Sequence, residues 1–209
     1  MGNSLNLDGD RDIEWSFVAT HMPTGNGGWA LDFGCGRSPL ALVAIERGFR
    51  VLGLDMEAIT PTWSHDAYRF RKGDLLEISF ARESFDLIIN CSAIEHVGLA
   101  GRFGISQPQP DGDWLAMRKL RTLMKTGGIQ LLTLPVGVDA DFPPWHRVYG
   151  EQRMPLLLSG YEVKEESYWR KSVECGWRPC TRADALSFEP PCTDERSIYA
   201  LGCMVLARG

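Results

Sequence analysis

Apolar residues along the chain alternate between short continuous runs and stretches with helical spacing. Ile13 and Phe17 lie four residues apart, and Pro23 and Gly25 follow them, so the pattern predicts a helix over residues 11–22. Continuous apolar runs, which are typical of buried strands, occur at residues 29–33, 51–54, 85–90 and 129–134, with a weaker one at 68–71. This alternation predicts a parallel sheet with helices on both faces.

Capping residues predict helices between these strands. Ser38 can cap a helix that carries Pro39 in its first turn, and Gly48 can end that helix. Asp113 can cap a second helix, which runs to Lys125 before a pair of glycines. The first of these helices would join two parallel strands as a βαβ unit.

The last third of the chain carries a different pattern. Pro135 is expected to end the strand at 129–134, and a helix is predicted over 149–159. Two further strands are predicted over 161–169 and 198–207, and they favour an antiparallel pairing at one edge of the sheet. The predicted fold class is therefore α/β, with a doubly wound, mostly parallel seven-stranded sheet and an antiparallel edge strand.

Composition and charge narrow the class of protein. The chain has 209 residues, 44% of them hydrophobic and 23% charged, which suits one domain over 1–209 with an N-terminal helical segment over 1–28. It has no apolar run of membrane-spanning length and no signal-peptide pattern, so we expect a cytoplasmic protein without a membrane partner. The net charge of -5 disfavours a nucleic-acid partner. The sequence leaves open whether the protein forms a homodimer.

Acidic residues and glycines lie at the ends of the predicted strands, where a nucleotide cofactor would bind. The turn at Gly34–Gly36 lets a ligand approach the backbone closely. The NAD fingerprint would require a third glycine where Pro39 stands, and Asp32 would repel a dinucleotide pyrophosphate. An acid at that place suits the cationic amino-acid end of S-adenosylmethionine instead, and Asp55 at the end of the second strand can accept both ribose hydroxyls.

This order of acids and glycines resembles the class I S-adenosylmethionine-dependent methyltransferases over residues 28–135. The resemblance implies a Rossmann-like fold and a transferase that uses S-adenosylmethionine. It also implies that the adenine contacts Asp74 and the Leu75 amide. The candidate cofactor-binding residues are Asp32, Gly34, Cys35, Gly36, Asp55, Met56, Asp74, Leu75 and Asn90.

A narrower resemblance concerns the acceptor side of the site. The stretch Glu95-His96-Val97, together with residues 135–137, 146–150 and 155–158, resembles a small group of methyltransferase-like domains often associated with glycan assembly. This resemblance covers residues 90–160 and implies a small-molecule acceptor, a sugar or glycoside, and hence carbohydrate modification. Residues 98–112, rich in glycine and proline, are long enough to form a lid loop.

A sugar hydroxyl is a poor nucleophile at neutral pH and gains from a general base or a metal. His146 follows the fifth strand and is the leading base candidate. Metal-dependent O-methyltransferases of the small-RNA and ubiquinone types carry Glu-x-x-Glu-His and a later His. Glu95, His96 and His146 match the last three of these ligands, whereas Ser92 stands where the first Glu should be. These three residues are the catalytic candidates, and they could also hold a divalent ion such as Mg²⁺.

We therefore predict an S-adenosylmethionine-dependent O-methyltransferase that acts on a small-molecule hydroxyl, with a sugar or glycoside preferred. Two alternatives stay open: N- or S-methylation of a metabolite, and a catalytically silent partner protein that binds S-adenosylmethionine. The glycines and Asp55 argue for binding of the cofactor. Glu95, His96 and His146 would be unnecessary in a silent partner, which favours an enzyme.

Overall fold

The computed structural model describes residues 9–101, 103–172, 176–189 and 200–209. The helices in this part of the chain are α1 (Asp10–His21), α2 (Leu40–Glu46), α3 (Gly112–Leu123), α4 (Arg153–Leu157) and α5 (Arg182–Leu186). The strands are β1 (Trp29–Phe33), β2 (Arg50–Asp55), β3 (Tyr68–Lys72), β4 (Phe85–Cys91), β5 (Met124–Val136), β6 (Ala140–Phe142), β7 (His146–Val148), β8 (Tyr161–Ser172), β9 (Gly176–Cys180) and β10 (Ala200–Arg208). A 3₁₀ turn covers Ile94–His96.

One large sheet organises the molecule, with the strand order β3-β2-β1-β4-β5-β10-β8-β9. The first five strands in this order are parallel, while β10 is antiparallel to both β5 and β8, and β9 is antiparallel to β8. The strand order reverses between β1 and β4, and ligands of open α/β sheets bind at such a switch point, beyond the carboxyl ends of the strands. The predicted α/β class, with a mostly parallel sheet and an antiparallel edge, is confirmed.

The described sheet has eight strands, whereas seven were predicted. The additional strand is β9, which pairs with the outer edge of β8 from Tyr168↔Cys180 to Ser172↔Gly176. Its residues are half-buried or exposed, and it contains Pro179, so it lacks the apolar run by which the other strands were predicted. The antiparallel strand that was predicted, β10, lies between β5 and β8, and it is buried along most of its length.

The sheet separates two apolar cores because successive side chains of a strand point to opposite faces. On β1, Leu31 and Phe33 face the core that contains α3, whereas Ala30 faces the core beneath α1 and α2. Asp32 alternates with Leu31 and Phe33, so it is buried on the face of α1 and α2. The predicted arrangement of helices on both faces is therefore present.

Several predicted boundaries are wrong for identifiable reasons. Pro135 does not end β5, because the strand continues on β10 beyond its last pair with β4, Cys91↔Thr133. Asp113 does not cap α3: it lies inside the first turn, where its carboxylate pairs with Arg153 at 2.6 Å. Pro39 precedes the first residue of α2 instead of lying in its first turn.

Other expectations fall partly outside the described residues. The predicted strand over 198–207 is β10 from residue 200 onward, and residues 198–199 lie outside the described part, as do 1–8 of the N-terminal segment. The β6–β7 hairpin and α5 were not predicted, because each is too short to give a periodic pattern. None of the helices in the described ranges is long and apolar enough to span a membrane.

Candidate active site

A cleft opens at the carboxyl ends of the parallel strands, beside the switch point between β1 and β4. Residues at the ends of β1, β2 and β4 form one part of its wall, and the segment after β3 forms another. Phe103, Ile105 and Gln109 of the predicted lid loop line the remaining side. The candidate cofactor residues that line this cleft are Gly34, Asp55, Met56, Asp74 and Leu75.

The glycine turn brings the end of β1 against the segment that follows β4. Gly34 has φ 64°, and a Cβ atom placed on it would lie 2.4 Å from the Cβ of Ala93. The Gly34 and Cys35 amides both donate to the Leu54 carbonyl, at 2.8 and 3.2 Å. Only glycine fits at this position, because another residue would suffer both the clash and the positive φ.

Two acidic side chains on the cleft wall are held by backbone amides. Asp55 accepts from the Gly36 amide at 2.9 Å and from the Glu57 amide at 2.9 Å. Asp74 accepts from the Leu76 amide at 2.8 Å. These bonds fix the orientation of both carboxylates before any ligand arrives, which lowers the entropy lost on binding.

Asp32 is a buried acid with an unsatisfied oxygen. Its side chain is 2% exposed, and Oδ2 has no hydrogen-bond partner among the described residues. Burial and, secondarily, the charge of Asp55 raise the pKa of Asp32 to about 7. It lines a second, smaller cavity together with Cys35 and Gly36. An unpaired carboxylate in this position fits a ligand that brings a positive group.

Asn90 does not line the cleft. Its side chain is fully buried and its Nδ2 donates to the Met117 Sδ at 3.5 Å, so it faces α3. Oδ1 has no partner among the described residues. The role of Asn90 in cofactor binding therefore stays a prediction. The buried orientation of its side chain does not support it.

His96 is the predicted catalytic residue that lines the cleft. Its Nδ1 donates to the Trp145 carbonyl, so in the neutral ring the lone pair is on Nε2. The Glu95 Oε1 lies 3.8 Å from this Nε2. Burial is the largest cause that raises the pKa of Glu95, to about 8. His146, on β7, packs its ring against Phe142 and is not among the cleft residues.

The predicted metal site is not supported. Within the described residues, no group of three His, Cys, Asp or Glu side chains lies close enough to hold a metal ion. Glu95 is 2% exposed, and Nδ1 of His96 is bonded to the Trp145 carbonyl. Glu95 and His96 are neighbours, with 3.8 Å between Oε1 and Nε2, but His146 does not join them in a group that could hold a metal ion.

Glu14, which α1 places behind the cleft, was not predicted as a site residue. Glu14 is fully buried, and it accepts hydrogen bonds from the hydroxyls of Ser92 and Thr133. Ser92 lines the cleft. The sequence does contain an indication that Glu14 is unusual. It lies in the same helical stripe as Phe17 and Val18, where a buried apolar residue is expected.

Arg147 was also missed as an anchor of the loop over the cleft. This arginine of β7 is 1% exposed, and its guanidinium donates to the Val97 carbonyl and, at 3.4 Å, to the Gln109 carbonyl. Gln109 also donates from its amide to the Gly98 carbonyl at 2.8 Å. Both ends of the predicted lid are thereby tied to the β6–β7 hairpin.

Comparison with known proteins places the chain in a family and in a fold. The family model described as "Caenorhabditis protein of unknown function, DUF268" matches residues 44–174. No curated protein sequence matches the chain. The family description names no glycan, so the glycan association remains a prediction.

Several solved methyltransferases share the fold. The 1,6-didemethyltoxoflavin-N1-methyltransferase of Burkholderia thailandensis, with S-adenosylhomocysteine bound, is 16% identical over 97% of this chain and 79% of its own, with a TM-score of 0.62. The N-methyltransferase NodS of Bradyrhizobium japonicum, also with S-adenosylhomocysteine, is 14% identical over 96% and 88%, with a TM-score of 0.60. A TehB-like S-adenosylmethionine-dependent methyltransferase of Corynebacterium glutamicum is 15% identical over 94% and 87%, with a TM-score of 0.53. The predicted Rossmann-like methyltransferase fold is confirmed.

Proposed function

Because the chain belongs to the family described as Caenorhabditis protein of unknown function, DUF268, we propose its function from the fold and the cleft. The proposed reaction is S-adenosylmethionine-dependent O-methylation of a small-molecule hydroxyl, with a sugar or glycoside preferred. The observation that carries this proposal is a single cleft lined by the glycine turn, by Asp55 and Asp74, and by His96.

The residues present fit S-adenosylmethionine. Gly34 lets the turn after β1 lie directly against Ala93 at the edge of the cleft, which a side chain would prevent. Asp55 and Asp74 offer oriented carboxylates for ribose hydroxyls and the adenine side of the ligand. The unpaired Oδ2 of Asp32 is suited to a positive amino group, which would relieve the cost of burying this acid.

When it is bound, S-adenosylmethionine supplies an activated methyl group on a sulfonium. The chain contributes positioning of the acceptor and removal of its proton. Because His96 lines the cleft and its Nδ1 donates to the Trp145 carbonyl, its Nε2 could take the proton of an acceptor hydroxyl bound there. The nearby Glu95 would then face a positively charged imidazolium, which favours its ionised form.

N-methylation is the second candidate, and one observation favours it. The carboxylate of Glu14 lies behind Ser92, so a positive charge on an amine acceptor would be stabilised there. S-methylation of a metabolite and a silent cofactor-binding role have no comparable support among the contacts of the cleft.

The experiment that tests the proposal combines binding with methyl transfer. Purified protein is titrated calorimetrically with S-adenosylhomocysteine, and transfer from methyl-labelled S-adenosylmethionine is measured for hexoses, glycosides, phenols and amines. We expect binding and label on at least one hydroxyl acceptor. Asp55→Ala should weaken binding by about 1–3 kcal/mol, and Glu57→Gln, whose side chain is exposed, should not change it. Binding without transfer to any acceptor would leave the silent partner as the better explanation.

A further inference from the structure

Behind the acceptor end of the cleft, three buried carboxyl groups meet. Asp10 and Glu14 come from α1 and are 2% and 0% exposed, and Glu95 comes from the 3₁₀ turn and is 2% exposed. We call these three residues, with Arg11, the acidic cluster. Buried carboxyl groups are costly unless they have a use or a partner, so each of them requires an explanation.

Glu14 is fully partnered, and its partners fix the hydroxyl of Ser92. Arg11 donates to Glu14 Oε2 at 2.6 Å, and Thr133 Oγ1 donates to Oε1 at 2.9 Å. Ser92 Oγ donates to the same Oε1. A serine hydroxyl carries one proton, and Ser92 donates it to Glu14. Ser92 can therefore only accept a hydrogen bond from a ligand. Its backbone is held at φ 46°, a strained value for serine.

Glu95 supplies an independent observation. Its Oε2 has no hydrogen-bond partner among the described residues, although the side chain is almost completely buried. Burial and, less strongly, Glu14 raise the pKa of Glu95 to about 8, against the lowering by a backbone hydrogen bond, by Arg11 and by Ser92. Its carboxyl group lies beside two cleft residues, Ser92 and His96, and it is mostly protonated at neutral pH.

The carboxylate of Glu14 lies directly behind the Ser92 hydroxyl. It is paired with Arg11 on one oxygen, and its other oxygen accepts the Ser92 proton. An anionic acceptor placed against Ser92 would face unfavourable charge, whereas a neutral or cationic donor would not. Both the hydrogen-bonding capacity and the electrostatics therefore select the same kind of ligand.

We propose that Ser92, backed by Glu14 and Glu95, forms a hydrogen-bond-accepting subsite for the methyl acceptor. It selects acceptors that carry a donor proton, namely neutral hydroxyls and amines that bind in the protonated form and pass one proton to His96 before methylation, and it rejects carboxylate and phosphate acceptors. Glu14 is a positioning residue in this subsite, because it acts through the Ser92 hydroxyl. The proposal rests on the proposed function and adds the charge class of the acceptor to it.

The test uses three aromatic fragments of similar size, because Phe33 and Phe103 line the cleft. Phenol, benzylamine and benzoate are titrated into protein saturated with S-adenosylhomocysteine, and binding is followed by ligand-observed NMR. Wild-type protein should bind phenol and benzylamine at least about tenfold more tightly than benzoate, the effect of one charged hydrogen bond. Equal or stronger binding of benzoate would overturn the proposal.

Variants then locate the subsite. Glu14→Gln should reduce benzylamine affinity about tenfold and benefit benzoate, and Ser92→Ala should weaken phenol and benzylamine alike. Glu46→Gln, on an exposed site of α2, is the matched control and should change nothing. If Glu14→Gln does not fold, the wild-type preference and Ser92→Ala still decide the question. Failure to bind S-adenosylhomocysteine refutes the proposed function, whereas cofactor binding with a preference for benzoate refutes only the subsite.

Discussion

Gly34 and Ala93 are in such close contact that a single methyl group on Gly34 would lie 2.4 Å from the Ala93 Cβ. This contact joins the turn after β1 to the segment after β4, and the cleft opens beside it. The distance between these two backbone segments therefore controls the shape of the proposed cofactor site.

Gly34→Ala should reduce affinity for S-adenosylhomocysteine at least about tenfold and lower the free energy of unfolding by roughly 1–3 kcal/mol. Gly27→Ala is a matched control, because Gly27 has φ 80° but a Cβ there would meet nothing within 4 Å. Calorimetry and urea denaturation of both variants separate the clash from the cost of positive φ. Equal behaviour of the two variants would show that the Ala93 contact is unimportant.

The raised pKa of Asp32 predicts how stability depends on pH. Its pKa is about 7 in the folded protein, above its value of 3.8 when unfolded, so the folded state binds the proton more tightly. Stability should therefore fall as pH rises from about 4 to 7, by at most about 4 kcal/mol from this group. Asp32→Asn should remove the decrease in stability that comes from Asp32, and the variant should be more stable than wild type at pH 8.

Urea denaturation at pH 5, 6, 7 and 8 checks this prediction, and Asp66→Asn, at an exposed acid, serves as the control. Saturation with S-adenosylmethionine should reduce the difference at high pH, because a positive group near Asp32 favours its ionised form. Parallel pH profiles for wild type and Asp32→Asn would contradict the assignment.

His96 and His146 can be distinguished as bases by their single variants. His96→Ala should lower methyl transfer by about 10²–10⁴-fold, because His96 lines the cleft and is the proposed base. It should leave S-adenosylhomocysteine binding nearly unchanged, because the proposed partner of His96 is the acceptor. His146→Ala should keep most of the activity, since its ring packs on Phe142. Initial rates of both variants are measured with an acceptor found in the methyl-transfer screen. A larger loss of activity in His146→Ala than in His96→Ala would identify His146 as the base.

Removal of the Arg147 guanidinium should release the loop over the cleft. Arg147→Met deletes the donors to the Val97 and Gln109 carbonyls and leaves Asp113 with less positive charge nearby. We expect a loss of about 3–5 kcal/mol of stability and faster amide exchange over 98–112. Arg118→Met, at an exposed residue of α3, is the control. Unchanged exchange in the loop would contradict the anchoring role.

The cofactor side of the site could be predicted from the sequence because its geometry follows from the sheet. Parallel strands end at the same edge, so Gly34, Asp55 and Asp74 had to lie near one another once the strands were recognised. Asn90 also lies at a strand end, but the alternation of side chains turns it toward Met117. Strand position alone therefore predicts which residues are near the cleft, and not which of them face it.

The acceptor side could not be predicted in the same way. Glu14 meets Ser92 and Thr133 across 78 and 119 residues of sequence, and no local pattern records such contacts. Whether His96 or His146 faces the cleft depends on the 3₁₀ turn and on the two strands of the β6–β7 hairpin, each of them three residues long and without periodicity. Even so, a glutamate in the apolar stripe of α1 indicated a buried polar residue on that face.

The position of β10 between β5 and β8 has a consequence for folding. Its partners precede it in the chain, so the sheet cannot be completed until this last described strand has been synthesised. Until then the backbone groups along one edge of β5 have no strand to bind, and such an open edge can pair with another chain. Aggregation through this edge should therefore be favoured before residues 200–208 have paired with β5.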